Sequence, residues 1–335
     1  MEHVIVTGGL GFIGLNLISR ITSERRYFVH NIDNCSLGHT YFDSYLSKNQ
    51  KDLIKNYRAN INEHDVFKKI LNDYNVNKVF HLAAESHVDR SITNPTAFFQ
   101  SNVMGTLALV ECCREHIAAN ELDEFRFLHI STDEVFGELG PGDEPFNEET
   151  PYNPSSPYSS SKAASDFIIK SWIRTYDFPA IIINSSNNFG PCQNDEKFIP
   201  TILRTLLCGR KVPVYGSGDN IRDWFYVKNH VEVLNRLMDE WPSTYCQYCL
   251  GGGIEVSNLE LVRNVWSILN ERGCLNSESW EDKVTFVADR PGHDFRYAIN
   301  QDRVNKVLGD LPATPFHEAL QNTIDFYLQT KRSAL

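Results

Sequence analysis

The first half of the chain alternates apolar runs with amphipathic stretches. Runs at 3–8 (HVIVTG), 28–33 (FVHNID), 57–61 (YRANI), 78–84 (KVFHLAA), 125–132 (FRFLHIST) and 180–187 (AIIINSSN) read as buried strands. Between them the pattern predicts helices near 12–23, 64–74, 95–117 and 158–175. Near-continuous apolar strands separated by helices predict a parallel sheet covered on both faces, an α/β doubly wound fold of the Rossmann kind. After about residue 188 the regularity breaks. Gly, Pro and Asn become frequent (FGPCQND at 189–195, GSGDN at 216–220, GGG at 251–253), with helices near 197–208, 229–240, 257–271 and 315–330. The expectation is a Rossmann domain over 1–187 and a smaller C-terminal α/β lobe over 188–335. Chain segments are free to cross between them, and a ligand cleft lies at their junction.

Composition narrows the partners. The chain has 335 residues, 41% hydrophobic and 22% charged, with a net charge of −11. That acidity argues against a nucleic acid or an anionic membrane as the main partner. No apolar run approaches the roughly 20 residues of a membrane-spanning helix. The N-terminal MEHVIVTGG lacks the basic and apolar regions of a signal peptide, so the expected location is the cytoplasm, with the eight cysteines as free thiols. Cys246 and Cys249 in CQYC have metal-ligand spacing, but no second C-x-x-C or His pair accompanies them. They read as structural cysteines, and no metal is expected.

Chemistry enters at three places. TGGLGFIG (7–14) follows the first strand and opens a helix, with Gly8, Gly11 and Gly14 where a backbone must turn tightly and approach a pyrophosphate. Asp33 ends the second strand, where a carboxylate accepts hydrogen bonds from an adenosine ribose and repels a 2′-phosphate; the cofactor expected is NAD rather than NADP. SPYSSSKAASD (156–166) places Tyr158 and Lys162 one helical turn apart, and an ammonium beside a phenol is expected to lower its pKa toward neutrality, giving a general base. STDEVFG (131–137) ends a core strand with two adjacent acids, Asp133 and Glu134. A surface loop or a helix cap is the ordinary explanation. In a doubly wound fold, however, strand ends are where ligands bind, and two neighbouring carboxylates with separated pKa values can divide acid and base roles.

These segments, with HLAAESHVDRS (81–91), resemble the extended short-chain dehydrogenase/reductase family. Further segments, SSNNFGP (185–191), EKFIP (196–200), IRDWFYV (221–227) and DRPGHDFRYAI (289–299), are similar to the nucleotide-sugar 4,6-dehydratases, most closely the dTDP-glucose type. The resemblance runs from residue 3 to about 330. It implies that Tyr158 takes the proton of the sugar C4 hydroxyl while hydride passes to NAD, with Lys162 tuning Tyr158 and holding the nicotinamide ribose. It gives Glu134 as the base at C5, Asp133 as the acid for the departing C6 hydroxyl, and Thr132 as a hydrogen-bond partner near the C4 oxygen. Hydride returns to C6, leaving a 4-keto-6-deoxy sugar. By the same resemblance Phe12, Ile13, Asn34, Asn60, Ile61, Leu82, Ala83, Ala84, Ser86 and Asn102 join the glycines and Asp33 around the cofactor. Ser86, His87, Thr132, Asn187, Glu196, Lys197, Arg222 and His293 fall around the nucleotide sugar, with Arg222 and His293 as the diphosphate partners.

Departures from the family pattern fall at three places. Asn60 stands for an Asp, Cys249 in CLGGG stands for an Asn, and the loop over 138–156 is short. At Asn60 an amide can still hydrogen-bond to the cofactor's adenine; the other two bear on base and sugar choice, leaving dTDP-glucose, UDP-glucose and UDP-N-acetylglucosamine open, with or without inversion at C5. The rival activities are a nucleotide-sugar 4-epimerase or decarboxylase, which have no use for an acid–base pair at C5 and C6. A non-catalytic NAD-binding protein is the rival from another class. The resemblance also implies a homodimer, helices 95–117 and 158–175 pairing across a two-fold axis as a four-helix bundle.

Overall fold

The computed structural model describes residues 1–36, 41–242, 244–275 and 279–332. Its largest sheet is built from β1 (Glu2–Thr7), β2 (Tyr27–Asp33), β3 (Ile54–Arg58), β4 (Lys78–His81), β5 (Arg126–Thr132), β6 (Ala180–Ser185) and, from far along the chain, Gln247–Leu250. The order is β3-β2-β1-β4-β5-β6 and then Gln247–Leu250, every pairing parallel. The interiors are apolar on both faces: Val4, Ile5 and Val6 of β1 are fully buried, as are Ile182 and Ile183 of β6. Both faces are therefore covered by helices. On one face lie α1 (Phe12–Ser23) and, from the second half of the chain, Val227–Glu240, joined through Leu17, Ile18, Val231 and Leu234. On the other lie α2 (His64–Tyr74), α3 (Gly105–Asn120) and α4 (Pro157–Tyr176), around Phe67, Leu109 and Ile169. Chain order reverses between β1 and β4, which opens a crevice beyond their carboxyl ends.

The second half adds β7 (Asn187–Phe189), β8 (Val212–Tyr215), β9 (Ile221–Tyr226), β10 (the Gln247–Leu250 strand), β11 (Glu255–Ser257) and β12 (Val284–Val287). β7, β9 and β11 form a three-stranded sheet, and β8 pairs with β12. Around them pack α5 (Phe198–Leu207), α6 (the Val227–Glu240 helix), α7 (Asn258–Glu271) and α8 (Phe316–Arg332), over a core that includes Leu203, Val265 and Ile324. The position 187/188 falls within β7, and the chain beyond it returns α6 and β10 to the large sheet. Among the described residues no helix is long and apolar enough to cross a membrane.

Several elements differ from the pattern-based expectation. The strand read at 57–61 lies at Ile54–Arg58, because its register is set by pairing with β2, Val29 opposite Ile54 and Asp33 opposite Arg58. Ala59 to Ile61 then leave the sheet edge. The helix read over 95–117 is interrupted: a π-helical stretch, Phe99–Met104, precedes α3, and a short helix, Val88–Thr93, had no periodic signal at all. α4 starts at Pro157, where Ser156 and Ser159 form a reciprocal capping box and the ring of Pro157 fits the first turn. Cys249 lies on β10 opposite Asn184 and is fully buried, whereas Cys246 is exposed; both are free thiols.

Candidate active site

The glycine turn closes because side chains are absent from it. Gly8 has a φ of +72°, and a Cβ there would lie 2.8 Å from the backbone of Ala83. A Cβ on Gly14 would lie 2.2 Å from the Gly8 carbonyl oxygen, so this residue sets how closely α1 approaches β1. The first turn of α1 carries no side-chain cap, which leaves its amides directed toward the cleft. At the end of β2, Asp33 accepts from the amides of Leu10 (2.9 Å) and Cys35 (2.8 Å), which fix its carboxylate at the rim. An uncapped helix terminus facing a restrained carboxylate suits a dinucleotide: pyrophosphate on the amides, ribose hydroxyls on the acid.

One continuous cleft runs from this turn to the end of β5. Its lining includes Gly8, Gly11, Phe12, Ile13, Gly14, Asp33, Asn34, Asn60 and Ile61 at one end, and Leu82, Ala83, Ala84 and Ser86 in the middle. Thr132, Asp133, Glu134, Tyr158, Lys162, Asn187 and Lys197 line the far end. Asn102 is not in the cleft. It sits in the π-helical stretch behind it, where its amide accepts from Glu85 N (2.8 Å) and donates to Glu85 O (3.0 Å) and Ser161 Oγ (2.9 Å). It thus fixes the segment 82–86 rather than facing the cleft. His87, Glu196, Arg222 and His293 also fall outside the lining. Glu196 is engaged by Arg90 at 2.6 Å, and His293 Nδ1 meets Asp289 at 2.6 Å. Arg222 is buried, donating to the carbonyls of Ile221 (2.7 Å) and Asp294 (2.9 Å) over the Tyr297 ring. It does not pair with Asp223, whose carboxylate accepts from Gly252 N and Ile254 N, both at 3.1 Å.

The two acids of the STDEVFG segment differ electrostatically. Asp133 is 1% exposed, its Oδ1 accepts from Thr132 Oγ1 at 3.2 Å, and its Oδ2 has no partner. Burial, then Glu134 and Asp223, push its carboxyl well above the usual range and favour its protonated form. Burial also raises Glu134, but Arg290, Arg222 and Lys197 oppose that rise and favour its carboxylate. Arg290 carries no signal in the sequence that links it to Glu134. Its Nε is buried without a partner, and its Nη1 reaches Asp89 at 3.3 Å.

The tyrosine–lysine pair departs from the expected tuning. Lys162 Nζ donates to the Ile130 carbonyl at 2.7 Å, and burial lowers its pKa to about 8. Tyr158 is pushed up, by burial first and then by Glu134 and Asp133, with Thr132 pulling the other way. The ammonium is committed to β5 rather than to the phenol, so Tyr158 is a neutral phenol in this state. A protonated Asp133 withdraws one of the charges that hold it so.

A glycine turn on β1, an acid at the end of β2 and a Tyr-x-x-x-Lys helix bordering one cleft define an extended short-chain dehydrogenase/reductase. The chain belongs to the GDP-mannose 4,6 dehydratase family, whose model matches residues 5–323. The dTDP-glucose 4,6-dehydratase of Salmonella typhimurium is 40% identical over 341 residues, spanning 97% of this chain and 92% of that protein. The dTDP-glucose 4,6-dehydratase of Bacillus anthracis, solved in complex with NAD, superposes with a TM-score of 0.85 at 30% identity, over 99% of this chain and 98% of that one. The corresponding enzyme of Streptomyces venezuelae, also solved with NAD, gives 0.86 at 29% identity over the same shares.

Proposed function

We propose that this chain is an NAD-dependent nucleotide-sugar 4,6-dehydratase that converts dTDP-glucose to the 4-keto-6-deoxy sugar with loss of one water. The observation that carries it is the pair of acids at the end of β5, in the cleft that Tyr158 and Lys162 border: Asp133 is buried with an unpartnered Oδ2, and Arg290, Arg222 and Lys197 favour the charge of Glu134. The relatives named above supply the nucleotide and the sugar.

NAD, bound along the glycine turn and Asp33, would supply a reversible hydride acceptor, taking hydride from C4 and giving it back at C6. Tyr158, once it has released its own proton with Lys162 supporting the phenolate, is positioned to take the C4 hydroxyl proton, with Thr132 as hydrogen-bond partner beside it. Once C4 is a ketone, its C5 proton is acidic, because the carbanion left behind becomes an enolate. Glu134 takes that proton. Asp133 donates its own to the C6 oxygen, and the C6–O bond breaks to release water. Each carboxylate then stands one proton away from its starting state: Glu134 returns its proton to C5 as C6 becomes a methyl group, and the proton that Tyr158 took from the C4 hydroxyl passes to Asp133, directly or through solvent, to reset the pair. Arg222, Arg290 and Lys197 supply the positive surroundings for a diphosphate against a chain of net charge −11. A 4-epimerase or a decarboxylase would leave Asp133 and Glu134 without a task.

The test is a turnover screen of dTDP-glucose, UDP-glucose and UDP-N-acetylglucosamine, with the product read by NMR. A C6 methyl signal from dTDP-glucose is the expected result. A product that keeps its C6 hydroxymethyl group would sink the dehydratase reading.

The second proposal concerns assembly. Met104 (54% exposed), Phe167 (56%) and Tyr176 (50%) place apolar surface on the π-stretch and α4. We infer a homodimer through these helices.

A further inference from the structure

One buried carboxylate near the site has no part in the steps above. Asp166 lies on α4 four residues after Lys162 and eight after Tyr158, on the same helix face, and is fully buried. Its Oδ2 accepts from Ser131 Oγ (2.8 Å), Tyr152 Oη (2.9 Å) and Asn184 Nδ2 (3.2 Å). Its Oδ1 faces His129 Nε2 of β5 at 3.2 Å, without an aligned hydrogen bond. The contacts join three elements at the point where the catalytic groups leave them. Ser131 precedes Thr132 on β5, and Asn184 of β6 also donates to the Thr132 carbonyl at 3.2 Å.

The groups around this carboxylate decide its charge and its effect. Burial opposes the Asp166 charge, but the N–H of the facing His129, then Lys162 and the Ser131 hydroxyl, outweigh it and hold the carboxyl below its ordinary range. Burial, then Lys162, lower His129 to about 4, and burial, then His129, hold His81 of β4 well below its ordinary value, so both imidazoles are neutral. Burial raises Tyr152 and Tyr158, leaving both as phenols. Lys170, one turn further along α4, is lowered by burial and lies over the Tyr152 ring. On Lys162 itself, burial favours the neutral amine and Asp166 is the group that opposes it.

We propose that Asp166 is a positioning residue for the reaction: its restrained carboxylate, one helical turn from Lys162 on the same buried face, is the counter-charge of that side chain and ties α4 to the strand ends that carry Thr132 and Asp133. The inference rests on the dehydratase reading for the role of Tyr158 and Lys162, but the charge coupling does not require turnover. A neutral lysine could not support a developing phenolate, so the activity of an enzyme without the Asp166 charge ends at lower pH.

The test uses the full chain with NAD and two readouts. The first is the pH titration of the Lys162 side chain by ¹³Cε-lysine NMR, its signal assigned with K162M. In Asp166→Asn the Lys162 midpoint is expected to fall by about one pH unit, the scale of a lost charge partner. The second is the pH profile of kcat/KM with dTDP-glucose: the alkaline limb of D166N moves down by a similar amount, and kcat above the limb falls about tenfold while KM stays within about twofold. An unmoved Lys162 midpoint, or an activity loss uniform across pH, overturns the proposal. Wild type that does not turn over nucleotide sugars would instead fail the dehydratase reading, and the NMR arm still decides the coupling. Should D166N not fold, Tyr152→Phe removes one donor and keeps the charge. Asp166 then takes its proton at higher pH and the acid limb rises, and an acid limb that stays in place overturns the proposal.

Discussion

Asp133 and Glu134 are adjacent in sequence, yet Arg290, Arg222 and Lys197 oppose the charge penalty at Glu134, while Glu134 and Asp223 add to it at Asp133. Glu134→Gln is therefore expected to lower turnover by about 10²–10³-fold, the usual weight of a general base. Reduction of bound NAD by substrate survives in E134Q, and exchange of the C5 proton with solvent collapses. Rapid absorbance measurements and deuterium incorporation separate the two, and surviving exchange would reassign the base. Asp223 offers a stability test. Burial raises its pKa to about 6, against the amides of Ile254 and Gly252. A group raised in the folded state stabilises fully below its unfolded value near 3.8, and that contribution is lost as pH rises through about 6. The stability of the wild type relative to Asp223→Asn should thus fall between pH 4 and 7, by up to about 3 kcal/mol, in paired urea titrations. At this scale much of the site was legible in the sequence. Tyr158, Lys162 and the two acids sit in motifs with local spacing. Arg290 was not legible, because Glu134 lies 156 residues away, and the role of Asp166 was not, because Ser131 and Asn184, which restrain it, are brought to it only by tertiary packing.

The helix that carries Tyr158 and Lys162 is aligned by its own first turn. Ser156→Ala removes the acceptor for Ser159 N and should cost about 1 kcal/mol in urea unfolding. Because Tyr158 lies two residues into that turn, kcat should fall more than substrate KM rises. At the opposite end of the cleft, Gly14→Ala would press a methyl against the Gly8 carbonyl oxygen. The helix would move off the strand, and the purified protein is expected to contain little NAD, as read by absorbance after denaturation. Strands and helices of the first half were readable because each buries two faces or one stripe, and those periods differ. What failed were the places where neighbours choose the outcome. The register of β3 follows β2, and the π-helical interruption at Phe99–Met104 turns Asn102 toward Glu85 and Ser161, a choice that no residue period encodes.

The whole molecule joins its halves by contacts that a motif search does not see. Arg90 of the short helix Val88–Thr93 meets Glu196 just ahead of α5, and Arg303 meets Glu148 at 3.4 Å. The Arg90–Glu196 pair is largely exposed and contributes little to stability, about 0–1 kcal/mol, so it orients the halves more than it holds them. Oligomeric state is the prediction proper to this scale. Phe167→Asp places a charge on the exposed apolar face of α4 and should turn the proposed dimer into a monomer by sedimentation, with NAD content unchanged. A wild type that sediments as a monomer would refute the dimer. The doubly wound plan itself was readable from the first six strands. The last strand of the sheet was not placed, since QYCL at 247–250 looks like any short apolar run until it is paired with β6.

That seventh strand has a consequence for the birth of the chain. β6 is complete at Ser185, yet the strand that covers its edge begins at Gln247. Synthesis at roughly 5–20 residues per second leaves that edge open for several seconds. During this interval an apolar ladder of unpaired backbone groups is exposed at the side of an otherwise formed sheet. A ribosome that stalls between these two strands would leave a nascent chain prone to pair with its neighbours. The length of message between the codons for Ser185 and Gln247 is therefore where slow translation would do this protein the most harm.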